Sequence, residues 1–176
     1  MTSSADRAMP TVVLEGVVLG ESPRWHDGRL WFCDWGRGEV VAVDDGGHAE
    51  RLDGTPARPW SIAWQDDGSL LFTAAREAAL LRRDPSGALS TVADLSGIST
   101  GWNEIVNDGR GNTFLNAVGF DLMAGEAPRP GVVAVVTPDG TARPVAGDVE
   151  FPNGMAVTPD GAARRTRRRA AWHRPA

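Results

Sequence analysis

"SPRWHDGRLWFCDW" (residues 22–35) reads as an apolar stretch, a tight turn at Asp27-Gly28 and a second apolar stretch. It recurs as "PWSIAWQDDGSLLFTAA" (59–75), "WNEIVNDGRGNTFLNAV" (102–118) and "PNGMAVTPDG" (152–161). The turn glycines, Gly28, Gly68, Gly111 and Gly161, stand 40, 43 and 50 positions apart, and "MAGEAPRPG" (123–131) supplies an inserted loop in the longest interval. Midway between these units lie "EVVAVDDGGHAERL" (39–52), "ALLRRDPSGALSTV" (79–92) and "GVVAVVTPDGTARPV" (131–145). Each is a short apolar strand, a polar turn and another strand, the pattern of a hairpin. A period of roughly 40 to 45 residues holding about four strands is the size of one propeller blade.

A blade cannot bury both of its faces alone, so blades stack around an axis. The expected fold is therefore all-β, an incomplete β-propeller of about three blades plus the start of a fourth. Six blades at this period need ~240 to 270 residues, and the chain has 176. "AAREAALLRR" (74–83) carries helix-forming alanines. It occupies the place of a strand in the first repeat and is read as one.

Composition agrees with this reading. A content of 41% hydrophobic against 23% charged residues argues for a packed core rather than disorder. Twenty-one glycines and twelve prolines suit many tight turns. The one cysteine, Cys33, excludes an internal disulfide and reads as a small buried hydrophobe. The start, "MTSSADRAMPTVV", lacks a basic segment followed by an apolar one, and no run approaches the ~20 apolar residues of a membrane span. A cytoplasmic protein with no membrane partner is expected.

All 18 basic residues other than histidine are arginine, and six of them fall in the last fifteen positions. Without that tail, 12 arginines face 23 acids, an acidic body that suits cations and disfavours nucleic acid. After "FPNGMAVTPDG" the repeat calls for an apolar strand, but "AARRTRRRAAWHRPA" follows. Arginine at five of the six positions 164–169 puts charge on both faces of a strand and cannot build the blade core. A shifted reading frame, a solvated tail and a basic arm are the three readings, and the abrupt loss of pattern at a turn glycine favours the first. The expected organisation is a flexible N-terminus (1–10), a partial propeller (11–161) and an Arg-rich tail (162–176), disordered or frame-shifted.

Glu21, Asn103 and Asn153 open the first, third and fourth repeats, while the second offers Trp60 or Ser61 at that place. Equivalent positions of successive blades point toward one axial region, so one carboxylate and two amides would converge there. Such hard oxygen donors suit Ca²⁺ or Mg²⁺. For each residue singly, a turn residue satisfying its own backbone is the competing reading. His26, His48 and His173 are scattered and lack zinc-ligand spacing. No nucleophile elbow, Walker loop or dinucleotide fingerprint occurs. Trp25, Trp31, Trp35, Trp60 and Trp64 are expected to pack between blades, with Trp60 or Trp102 the alternatives for walling a substrate cavity.

"ESPRWHDGRLWFCDW", "WNEIVNDGRGNTF" and "FPNGMAVTPDG" resemble the characteristic segments of the SMP-30/gluconolactonase/LRE-like family of six-bladed propellers, itself similar to diisopropylfluorophosphatases and paraoxonase-like lactonases. The resemblance covers about residues 12–161. It implies a divalent-metal-dependent hydrolase of lactones or related esters, with Ca²⁺ favoured over Zn²⁺, Mn²⁺ or Mg²⁺ and a small-molecule substrate. Glu21 and Asn153 match metal ligands, and Asn103 matches an asparagine that contacts metal or substrate. Sugar-lactone members carry an arginine two places before that asparagine, where this chain has Gly101, and an aspartate after it, where this chain has Glu104. A further ligand, the aspartate that is also the candidate base or nucleophile, would fall beyond residue 176, so no catalytic residue is assigned. A chain lacking it is expected to bind metal weakly and catalyse little. A non-enzymatic binding propeller is the alternative.

Overall fold

In the computed structural model, residues 9–56, 58–74, 77–121 and 124–158 are described, together with the backbone of 164–168. The first sheet is formed by β1 (Gly20–His26), β2 (Arg29–Asp34), β3 (Glu39–Val43) and β4 (Ala49–Arg51). The second holds β5 (Pro59–Trp64), β6 (Leu70–Ala74), β7 (Ala79–Arg83) and β8 (Leu89–Asp94). The third holds β9 (Trp102–Asn107), β10 (Thr113–Ala117), β11 (Gly131–Val136) and β12 (Ala142–Val149). In each, sequence neighbours are sheet neighbours and every pairing is antiparallel. Of the alanine-rich stretch, Ala74 ends β6 and Ala79–Arg83 forms β7, while residues 75 and 76 lie outside the described residues.

Turn chemistry sets the strand register. The link between β1 and β2 is two residues long, and Asp27 (φ 48°) and Gly28 (φ 71°) both take positive φ, the hairpin turn whose twist matches its flanking strands. The links from β5 to β6 and from β9 to β10 are longer. There Gly68 and Gly111 return their N–H groups to the carbonyls of Gln65 and Asp108.

The first strands of successive sheets pack on one another: β1 on β5, β5 on β9, and β9 on β13 (Pro152–Val157). This is the arrangement of blades around an axis. Alternation along each strand supplies both faces. Leu70 and Phe72 meet Cys33 and Val40 of the first sheet. Leu71 between them faces the other way, toward Ile105 and Leu115 of the third. Each such fully buried Leu, Ile or Phe contributes roughly 1.5–3 kcal/mol. Burial also pushes the Cys33 thiol well above its ordinary pKa, which leaves it an inert core residue.

The far face of the first sheet is covered differently. Phe32, Val41 and Val43 pack with Leu30 and with Leu14 from the segment preceding β1. Trp25 shares this far side and is 68% exposed, against the expectation that it packs between blades. Arg24 and His26 on either side of it reach Glu104 and Trp64 on the near side, so strand alternation turns Trp25 away from the second sheet.

Beyond β13, the backbone of β14 (Arg164–Arg168) runs antiparallel to it, with Ala156 opposite Arg165. Ladder formation uses main-chain groups alone, so an arginine run that cannot build a blade core still pairs. The rest of the expected tail and most of the expected flexible N-terminus lie outside the described residues. Among the described residues no helix is long and apolar enough to cross a membrane.

Candidate functional site

Glu21, Asn103 and Asn153, from β1, β9 and β13, line one cavity of about 390 Å³ at the axial ends of the blades. Each sits at the same phase of its inner strand, and side-chain alternation sends each to the same side. The second repeat resolves its own ambiguity here. Trp60 lines the cavity with these three, whereas Ser61 is turned into the contact between blades.

A recurring backbone device aims these residues. Arg58 (φ 55°), Gly101 (φ 69°) and Phe151 (φ 45°) all take left-handed conformations, each two residues before Trp60, Asn103 and Asn153 respectively. The chain kinks at each blade entrance and delivers the following strand toward the axis. Asn103 is 7% exposed and its Nδ2 donates to the Pro152 carbonyl at 3.2 Å, which leaves Oδ1 as the acceptor end of the amide. Its own carbonyl accepts from Thr73 Oγ1 at 3.3 Å. Asn153 Oδ1 accepts from the Gly154 N–H at 3.0 Å, and its backbone carbonyl accepts from Asn116 Nδ2 at 2.9 Å.

Glu104, next to Asn103, points the opposite way into the seam between blades. Its Oε1 accepts from Arg24 Nη2 at 2.5 Å, from Ser22 Oγ at 3.2 Å, from the Ile105 N–H at 3.1 Å and, at still shorter range, from Ser61 Oγ. The Ser22 and Ser61 hydroxyls lie 2.8 Å apart. One carboxylate thus gathers partners from β1, β5 and β9 and locks the three inner strands whose neighbours face the cavity.

The apolar walls are aromatic. The rings of Trp35 and Trp60 lie 4.4 Å apart at a 30° tilt, and Trp35 Nε1 donates to the Trp60 carbonyl at 2.8 Å. Trp102 also lines the cavity while belonging to the core between the second and third sheets. The two sequence readings of these tryptophans, packing and cavity wall, thus meet in the same side chains. Phe120 and Phe151, 5.9 Å apart, close another side.

Three charged lining residues escaped the sequence reading: Arg58, Glu77 and Asp121. They lie between the strands that carry the repeat, where no periodicity marks them. For Arg58 a signal did exist, since it stands two places before Trp60 as Gly101 does before Asn103.

The side chains that could face a cation are one carboxylate, Glu21, and two amides, Asn103 and Asn153, with Glu77 and Asp121 also lining the cavity. Among the described residues no three His, Cys, Asp or Glu side chains gather around one point. That chemistry fits a hard cation with water completing its shell and does not fit a thiolate or imidazole site.

The profile described as SMP-30/Gluconolactonase/LRE-like region matches residues 19–164. The chain belongs to that family. No curated protein sequence matches it. Among solved structures, a gluconolactonase from Xanthomonas campestris is similar at a TM-score of 0.71 and 21% identity, over 85% of this chain and 54% of that one. Regucalcin from Agrobacterium tumefaciens, a calcium-binding protein, gives 0.65 and 22%, over 82% and 48%. A chain of a nidogen/laminin complex gives 0.67 and 16%, over 84% and 56%. At these identities the likeness speaks for the fold, an incomplete β-propeller. This member of the family spans about half the length of the structures it matches.

Proposed function

We propose that this family member carries the metal-holding side of a lactonase-type site, serving a divalent-metal-dependent hydrolase of lactones or related esters. Glu21, Asn103 and Asn153 would hold the cation, Ca²⁺ before Zn²⁺, Mn²⁺ or Mg²⁺, and Asn103 would also meet substrate. The observation that carries this reading is that three oxygen-bearing side chains from three separate inner strands line a single cavity. Regucalcin, among the similar structures, is described as calcium-binding.

A bound cation would supply Lewis acidity toward a lactone carbonyl. The protein's own groups do the rest of what can be assigned. Glu21 brings the negative charge a cation needs. The bond from Asn103 to the Pro152 carbonyl fixes that amide with its acceptor end available. Trp35, Trp60 and Trp102 give the substrate an apolar wall and exclude water from part of its surface. Ca²⁺ takes about six to eight oxygen ligands, so a set of three side chains binds it weakly and leaves much of its shell to water. No described residue is assigned as general base or nucleophile.

The test is a calcium titration followed by thermal unfolding. A cation that binds only the folded state at 100 times its Kd stabilises by about 2.7 kcal/mol. Wild type should therefore melt higher with millimolar Ca²⁺, and Glu21→Gln should lose that rise. A wild-type melting temperature indifferent to Ca²⁺, Zn²⁺ and Mn²⁺, together with no turnover of γ- or δ-lactones, would instead favour a propeller that only binds partners.

A further inference from the structure

Among the described residues Arg58 is the only basic one lining the cavity, and none of them holds its guanidinium by a hydrogen bond or ion pair. It shares that lack with Arg83, Arg110 and Arg143, none of which is among the residues lining the cavity. Arg24, Arg29, Arg37, Arg51, Arg82 and Arg129 are each matched to a carboxylate. Its backbone is also costly. A φ of 55° is left-handed for a side chain with a Cβ, and the following Pro59 disfavours helical-type conformations at this position further. The turn between β2 and β3 packs on its stem: a Cβ at Gly38 would come within 3.2 Å of Arg58 Cγ and 3.6 Å of its Cα. A strained, exposed and buttressed arginine without a side-chain partner among the described residues is not accounted for by stability alone.

Phase equivalence adds the decisive point. Arg58 precedes Trp60 by the same two positions that separate Gly101 from Asn103, on the adjacent blade. Gly101 cannot carry a side chain, since a Cβ there would lie 2.9 Å from both the Phe120 carbonyl oxygen and Val118 Cγ2 at a φ of 69°. Of the three equivalent blade entrances, Gly101 carries no side chain and Phe151 an apolar one, which leaves Arg58 to present a guanidinium.

We propose that Arg58 is a specificity residue that receives a carboxylate carried by the substrate away from its reacting carbonyl, so that the site prefers anionic lactones to neutral ones. Glu77 and Asp121, which line the same cavity, are acceptors suited to hydroxyl donors and repel anions. What Arg58 adds to them is a planar fork of donors matched to a carboxylate. The inference rests on the lactone reading above.

The experiment is isothermal titration calorimetry of the full chain, with Ca²⁺ and again with EDTA. The probes are γ-butyrolactone bearing a ring carboxylate and the methyl ester of the same compound. Wild type should bind the carboxylate ~10-fold or more tightly than the ester, the scale of a charge-assisted bidentate contact. Arg58→Gln should bring that ratio to about one, and Arg58→Lys should retain part of it. A preference that survives in Arg58→Gln, or the absence of any preference in wild type, overturns the role of Arg58 alone. Failure of wild type to bind either compound under both conditions overturns the lactone reading and this inference with it.

Discussion

Gly101 stands where the family resemblance calls for an arginine, and its backbone accounts for the difference. At a φ of 69°, with the Phe120 carbonyl oxygen 2.9 Å from where a Cβ would sit, only glycine fits without moving the third sheet. Restoring the family residue by Gly101→Arg is expected to lower stability by ~2 kcal/mol or more, from left-handed strain and the clash together, and urea denaturation measures it. The sequence alone raised the departure but could not show its cause, because nothing in "STGWNE" announces which carbonyl crowds the glycine. The same limit applied to Glu104. Residue type suggested a mild exchange of aspartate for glutamate, whereas its role depends on Arg24, Ser22 and Ser61, between 43 and 82 positions away in the chain.

At the scale of elements, Asp34 at the end of β2 ties the segment before β1 to the first sheet. It is 1% exposed and accepts from the Val18 and Leu19 N–H groups, both at 3.1 Å, and from Arg37 Nη1 at 3.0 Å. Burial opposes its ionisation, but these donors outweigh burial and hold the carboxyl at about 2, below its ordinary value of 3.8. A depressed carboxyl contributes stability that is fully present above about pH 4 and lost as pH falls toward 2. Asp34→Asn should thus cost about 2 kcal/mol at pH 7, with the difference from wild type disappearing near pH 2; denaturant titrations at several pH values check the trend. Strand existence was legible at this scale because alternating apolar runs bounded by Gly and Asp have few other readings. The tether was not, since an Asp before Trp-Gly looks like any turn residue until its partners at Val18 and Leu19 are seen.

For the whole molecule, the repeat revealed the architecture because blades are copies of one unit. It also brought Glu21, Asn103 and Asn153 to one cavity by phase alone. What it could not reveal is how the blades are joined. Glu104 sits on β9 yet takes its partners from β1 and β5, so no sheet can leave without stripping another of a buried polar contact. Removing one member of such a pair is costly, on the order of 3 kcal/mol. Glu104→Ala should therefore lower the melting temperature and broaden or split a single calorimetric transition as the first sheet loosens from the third. An unchanged single peak would show that apolar packing alone couples them. The indoles at the axis have a practical corollary. Because Trp35 and Trp60 lie against each other on the lining of the cavity, their ultraviolet emission is an intrinsic gauge of what enters it, and filling the void can be followed by light without attaching any dye.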